Sequence, residues 1–165
     1  MQLIEANAVN SSGCYKLPVR LHDNALVMKF DTGANKTVIS AELIFGELTD
    51  EQRTNINKLC SNYCAHEVFT SASGHSFIAY PFFVANATIG KTEIPRLNCY
   101  LIVDKLFDDR KVALLGKDFI DYCSFSHEFC GDIIIESFDE LKYDIRNNET
   151  TTANVSVNEI INLIQ

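Results

Sequence analysis

One short stretch of the sequence combines the residue types that acid–base chemistry requires. Asp31 comes directly after an apolar, strand-like run that ends at Phe30, and Thr32 and Gly33 follow it. A carboxylate at the end of an apolar strand is poorly solvated, and a glycine beside it lets other backbone come close. Such a carboxylate is suited to general acid–base catalysis. The same tripeptide also suits an ordinary β-turn, so on its own it leaves both interpretations open.

The Asp-Thr-Gly tripeptide belongs to the first of three motifs that follow one another along the chain. The first motif is the run Asp-Thr-Gly-Ala-x-x-Thr-Val-Ile-Ser, which starts at Asp31. About forty residues later comes a cluster of small residues around Gly74, and after it the segment Leu114-Leu115-Gly116-Lys117-Asp118-Phe119-Ile120. In these motifs and their order, the sequence resembles the retropepsin-like family, the retroviral-type aspartic proteases, over roughly residues 15–138. The resemblance implies an all-β, half-barrel acid-protease fold with a flap hairpin and short helices.

The resemblance also implies a role for each matching residue. Asp31 would be the catalytic acid, Thr32 would brace the loop across a two-fold axis, and Gly33 would place backbone near the substrate. The residues expected to contact substrate in an apolar cleft under the flap are Ala34, Ile39, Ala72, Ser73, Gly74, Phe77 and Leu114. The residues expected to support the catalytic loop are Leu115, Gly116 and Asp118.

Peptide hydrolysis by this chemistry needs two carboxylates, one to activate a water and one, protonated, to polarise the carbonyl. The chain of 165 residues has only one Asp-Thr-Gly. The second carboxylate must therefore come from another copy, which predicts a C2 homodimer acting on polypeptides. Two carboxylates about 3 Å apart cannot both ionise comfortably, so hydrolysis is expected to be faster at mildly acidic pH than at pH 8. The alternative is an inactive dimerisation or peptide-binding module of the same fold.

The sequence departs from the retroviral pattern at one pair of positions. Retroviral members usually carry an acidic residue after Asp-Thr-Gly-Ala, which pairs with an arginine after the apolar-apolar-Gly segment. Asn35 and Lys117 stand at these positions here, which is consistent with a neutral hydrogen bond in place of a salt bridge. The predicted helical insertion at residues 41–60 is longer than in the compact viral enzymes and resembles bacterial or cellular relatives.

Hydrophobic periodicity predicts the elements that must position these motifs. Alternating apolar residues predict a hairpin at 15–30, followed by a short strand at 38–40. Two short helices are expected within 41–60, separated near Gly46, with a capping box from Thr49 to Gln52. Further strands are expected at 68–70, 77–80, 82–89, 99–103 and 112–116. A helical turn is expected at 117–122, and a hairpin at 123–128 and 132–138.

The C-terminal part differs in composition from the rest. The protease-like domain is expected to cover 1–144, and the polar run at 145–155 predicts a flexible linker. At 156–165, apolar residues recur at helical spacing and predict an amphipathic helix. This helix could dock on its own core, support the dimer or contact a partner; of these, docking on its own core or dimer support is preferred.

Composition excludes several other classes of function. The net charge is −8, without a basic patch for nucleic acid, and the longest apolar runs are too short to span a membrane. The first ten residues lack the pattern of a secretory signal, which predicts a cytoplasmic protein with reduced cysteines. No phosphate loop or paired metal motif indicates a cofactor; Cys60, Cys64 and His66 form only a weak zinc pattern. His75, beside the expected flap glycine, is interpreted mainly as an exposed turn residue.

Overall fold

The chain folds mainly into β-strands, joined by a few helices. The computed structural model describes residues 2–11, 14–71, 73–127, 131–150 and 155–165, with backbone alone at 2–11, 127 and 147–150. In these ranges the strands are β1 (Gln2–Ser11), β2 (Cys14–Leu21), β3 (Asn24–Phe30), β4 (Val38–Ser40), β5 (Glu67–Thr70), β6 (Ser76–Ile89), β7 (Thr92–Ile102), β8 (Ala113–Leu115), β9 (Cys123–His127) and β10 (Ile133–Phe138). The helices are α1 (Ala41–Phe45), α2 (Asp50–Tyr63), α3 (Lys117–Ile120), α4 (Glu140–Thr150) and α5 (Val157–Ile164).

Six of the strands close into a ring. The sheet order is β5-β6-β7-β4-β8-β3-β2-β1-β10-β9. An additional pairing of β6 with β2 closes the strands from β6 to β2 in this order into the ring. Two pairs in the ring are parallel, β3 with β8 and β4 with β7. β8 lies between β3 and β4, so the ends of β3 and β8 lie next to the start of β4. The Asp31 loop begins at this place. The hairpin β2–β3 agrees with the alternating pattern that predicted it.

The first strand and the last two strands lie together outside the ring. β1 pairs with β10 and β2, and β9 pairs with β10. The β9–β10 hairpin was predicted from its apolar pattern, whereas β1 was not predicted as a strand. Its polar residues interrupt the apolar alternation, and its pairing with β10 depends on residues more than 120 positions away.

The helical insertion after β4 agrees closely with the sequence pattern. Gly46, at φ +81°, ends α1, where glycine adopts this conformation without steric cost. Thr49 then caps α2: its hydroxyl accepts from the Gln52 backbone N–H, and the Gln52 side chain accepts from the Thr49 N–H. Both predicted helices and the predicted capping box are therefore confirmed.

The segment expected to be a flexible linker is partly helical. α4 continues to Thr150. The buried Tyr143 anchors its start: its ring packs edge-on against Phe119 and at a tilt against Phe138, and its hydroxyl accepts a hydrogen bond from the Asn98 backbone N–H. Ile145 and Arg146, the described side chains of the polar run in this helix, are exposed. Residues 151–154 of the expected linker lie outside the described residues.

The C-terminal segment packs against the same core as the rest of the chain. The Phe83 backbone N–H donates to the Val155 carbonyl, and Val155 and Ile160 are both fully buried. Gln52 of α2 donates to the Ile164 carbonyl at the end of α5. The last residues therefore extend the core past the boundary expected near residue 144. In the described part of the chain no helix is both long and apolar enough to cross a bilayer.

Candidate active site

Asp31 lies at the first position after β3, next to the end of β8. Lys29 and Phe30 pair with Leu114 and Leu115 in the parallel β3–β8 ladder. The Asp31 backbone N–H continues this ladder by donating to the Leu115 carbonyl at 3.0 Å. The backbone of the carboxylate is therefore held by the sheet rather than by a free loop.

The turn after Asp31 orients its side chain. The Gly33 backbone N–H donates to Asp31 Oδ1 at 3.0 Å, and the Ala34 N–H donates to the Asp31 carbonyl at 3.2 Å. A Cβ on Gly33 would lie 3.3 Å from Asp31 Oδ1, so glycine allows this close approach. The Asp31 side chain keeps 24% of its surface exposed, and Thr32 is exposed beside it. The carboxylate is thus both fixed and open to an incoming molecule.

The second carboxylate oxygen has a partner that sequence reasoning missed. Lys29 Nζ lies 3.4 Å from Asp31 Oδ2. Residues two apart on a strand share a face, so the signal was present in the spacing of Lys29 and Asp31. The lysine side chain remains 45% exposed. A cation is therefore part of the immediate surroundings of the carboxylate.

Hydrogen bonds between Asp118 and Thr37 link the segment after β8 to the residues just before β4. The Thr37 backbone N–H and hydroxyl donate to Asp118 at 3.0 and 2.7 Å, and the Gly116 N–H donates to the Thr37 hydroxyl at 3.2 Å. Thr37 is fully buried. These bonds join the start of β4 to the segment that begins at Gly116, which agrees with a supporting position for Asp118.

Main-chain hydrogen bonds join the two segments that contain Asn35 and Lys117, the positions that depart from the retroviral pattern. The Lys117 N–H donates to the Ala34 carbonyl at 2.8 Å, and the Asp118 N–H donates to the Asn35 carbonyl at 3.3 Å. Asn35 and Lys117 are both exposed. The link between these segments is therefore made by main-chain bonds and by the Thr37–Asp118 pair.

We expect Asp118 to make the stability of the protein depend on pH. Burial raises the pKa of its carboxyl above the usual value of 3.8, and the hydrogen bonds from Thr37 and the charge of Lys36 offset only part of this rise. The folded state therefore binds the proton more tightly than the unfolded state, so this group's contribution to stability falls as the pH rises from about 3.8 through the raised pKa.

The Asp118→Asn variant tests this pH dependence. Its free energy of unfolding, measured by urea denaturation at several pH values, should decrease less steeply over that interval than the free energy of the wild type. Asp121→Asn, an exposed position just after α3, is the matched control. Equal slopes for the wild type and Asp118→Asn would contradict the assignment.

The β5–β6 hairpin ends in a turn that is held in place. The Gly74 N–H donates to the Ser71 carbonyl, and the Ser71 N–H donates to the His75 carbonyl. Gly74 has φ +86°, and the exposed Ser73 hydroxyl lies 2.9 Å from that of Ser71. The His75 ring stacks on Phe107 with centroids 4.4 Å apart. His75 is exposed beside the turn, as expected, and its ring also contacts the loop before β8. Ala72 lies outside the described residues.

A small apolar cluster lies between the hairpin and the Asp31 loop. Phe77 from β6 and Leu114 from β8 pack with the buried Val38, and both remain partly exposed. Ile39, expected to line the cleft, is instead fully buried in the main core. Successive strand residues face opposite sides, so Val38 packs with this apolar cluster on one side of β4 and Ile39 packs with the main core on the other.

A cavity of about 510 Å³ opens beside this cluster. Its walls include Ser71, Ser73 and His75 from the tip of the hairpin and Leu106, Phe107 and Arg110 from the loop before β8. Asp31 is not part of its lining. In a single chain, the carboxylate and the cavity are thus separate features.

The described cysteines do not form a reactive or metal-binding group. Cys14, Cys60, Cys64, Cys99 and Cys123 are free thiols, and burial raises the pKa of Cys60 to about 12. Among the residues with described side chains, no three His, Cys, Asp or Glu side chains are placed together as metal ligands. Cys130 lies outside this set.

Comparison with known proteins identifies the fold but not a sequence family. No protein-family model matches the sequence, and no curated protein shows significant similarity to it. Among solved structures, the chain is similar to a retropepsin-like aspartic protease from Rickettsia conorii, with a TM-score of 0.52 and 19% sequence identity. The match covers 82% of this chain and 92% of that one. The mostly-strand architecture with short helices is therefore a retropepsin-like fold.

Proposed function

We propose that the chain is an aspartic endopeptidase that hydrolyses peptide bonds as a homodimer, through a water activated between two copies of Asp31. The observation that carries this proposal is the geometry of the Asp31 turn. The backbone of Asp31 is bonded to β8, its Oδ1 accepts from Gly33, and its side chain stays partly exposed. A structural turn aspartate has no need of this combination of fixed position and access.

The reaction needs one carboxylate as a base and one as an acid. The ionised Asp31 takes a proton from the water as its oxygen attacks the peptide carbonyl carbon, while the protonated Asp31 donates to the carbonyl oxygen. The tetrahedral intermediate then collapses and the C–N bond breaks: the leaving nitrogen takes the proton of the Asp31 that deprotonated the water, and a hydroxyl of the intermediate returns a proton to the other Asp31. No cofactor is required for any of these steps.

The requirement for two copies supports a dimer. In the described residues, the Asp31 carboxylate has Gly33 and Lys29 as polar partners, and neither supplies a second carboxylate. The exposed Thr32 stands beside it, in a position to meet its symmetry mate across a two-fold axis. A C2 dimer brings identical surfaces together, so an interface formed around this turn would bring the two Asp31 side chains together beside the axis.

The β5–β6 hairpin is assigned the role of a flap over the substrate. Ser73 and Gly74 lie at its tip, and Phe77 and Leu114 offer apolar surface beneath it. Ala34, partly buried next to the catalytic turn, completes the proposed substrate contacts. We assign apolar peptide side chains to this cleft. The free thiols support the cytoplasmic location that we infer.

Activity should depend on protein concentration because the site is divided between two chains. Specific activity per chain is expected to fall on dilution, together with the dimer fraction measured by analytical ultracentrifugation. Two chains of charge −8 make a dimer of −16, so moderate salt should strengthen the dimer by screening this repulsion. Full activity in samples that sediment as monomers would contradict the proposal.

A further inference from the structure

Two lysines lie side by side on the outer face of the β2–β3 hairpin, next to the carboxylate. Lys16 is directly opposite Lys29 in the antiparallel ladder. Directly opposite residues share a face, with Cβ atoms about 5 Å apart, and like charges there destabilise the sheet. Both lysines are exposed, and the neighbouring buried residues Leu17, Met28 and Phe30 point to the other face. The repulsion between these two charges lowers the stability of the hairpin, which suggests that the charges have a role in binding.

The position of Lys29 places its charge where a substrate must bind. Its ammonium group is 3.4 Å from Asp31 Oδ2, so any peptide bond held at the carboxylate brings its flanking side chains close to it. Lys29 is also the register partner of Leu114, one of the partly exposed residues of the apolar cluster. The lysine is therefore adjacent both to the carboxylate and to a residue of the proposed apolar cleft.

Resting on the function proposed above, we infer that Lys29, with Lys16 beside it, selects peptides that carry an acidic side chain next to the cleaved bond. The flexible lysine side chain can leave Asp31 and pair with a substrate carboxylate. In a C2 dimer one Lys29 stands on each side of the bond, so an acidic residue is favoured on either side. Apolar residues further along the peptide would fill the cleft.

Matched peptides test this inference. A peptide cleaved by the wild type is remade with Glu, Gln or Lys at each position flanking the cleaved bond, and kcat/KM is measured for each. We expect the Glu peptide to exceed the Gln peptide about fivefold, the upper range for an exposed ion pair, and the Lys peptide to be the poorest. Lys29→Met should remove this preference, Lys29→Arg should retain it, and Lys29→Glu should reverse it.

The controls separate this inference from the proposed function. Lys58→Met, at an exposed position on α2, should keep the wild-type preference, and thermal unfolding checks that each variant is folded. Cleavage with equal rates for the Glu and Gln peptides would overturn the role of Lys29 and leave the protease assignment intact. A wild-type dimer that cleaves no peptide of a mixed library would overturn both.

Discussion

Replacing Asp31 with asparagine is expected to abolish peptide hydrolysis and leave the fold and the dimer intact. The amide has the shape of the carboxylate, and its oxygen can still accept the Gly33 N–H bond. It can neither take a proton from water nor donate one to the carbonyl as an acid does. General acid–base catalysis contributes typically 10² to 10⁴-fold, so we expect kcat/KM to fall by about 10³-fold or more. Cleavage of a mixed peptide library between pH 4 and 8 measures the effect.

A control and a mixing experiment make this test specific. Asp23→Asn, in the exposed turn between β2 and β3, should retain wild-type activity. If the site is shared, equal amounts of wild type and Asp31→Asn, allowed to exchange subunits, should leave about a quarter of the dimers with two intact carboxylates. Undiminished cleavage by a folded Asp31→Asn dimer would disprove catalysis by this residue. A folded wild-type dimer that cleaves no peptide of the library would instead favour the inactive peptide-binding module.

Replacing Gly116 with alanine is expected to destabilise the protein strongly and to displace the Asp31 loop. A Cβ at this position would lie 2.4 Å from the Lys36 carbonyl oxygen and 2.7 Å from the Lys36 nitrogen. These are backbone atoms, which cannot move aside as the end of a side chain can. Overpacking of this kind costs typically 1 to 3 kcal/mol, and we expect about 3 kcal/mol or more here. Urea denaturation gives the loss of unfolding free energy.

Gly46→Ala provides a matched control for this substitution. Gly46 has φ +81° and no atom within 4 Å of an added Cβ, so only its backbone conformation opposes the change. With ψ at −173°, this conformation is essentially restricted to glycine, so we expect a strain cost of about 1 to 3 kcal/mol there. Activity should stay normal, because Gly46 lies at the end of α1 and outside the Asp31 loop. The Gly116 variant should also lose activity when it is assayed below its unfolding midpoint, because Gly116 and Thr37 join the loop to its support. A loss within about 1 kcal/mol at Gly116, with normal activity, would contradict the packing argument.

Local sequence patterns predicted the elements around the site well. The β2–β3 hairpin follows from alternating apolar residues, and α2 begins where Thr49 and Gln52 form their capping box. Both features depend on neighbours only a few residues apart, so their physical causes are visible in the sequence. The Asp31 turn is of the same kind, since Gly33 and Ala34 form its hydrogen bonds with Asp31 itself.

The sequence by itself predicted a retropepsin-like fold, and its single Asp-Thr-Gly predicted that a second carboxylate comes from another copy. Only the tertiary structure decided which side of β4 faces Phe77 and Leu114, where Val38 stands in place of the expected Ile39, and which charges surround Asp31. It also joined Thr37 to Asp118, 81 residues apart, and packed the C-terminal helix against the core. These outcomes depend on strand pairing between distant segments. A one-residue change of register reverses the face of every side chain, and local periodicity does not specify it.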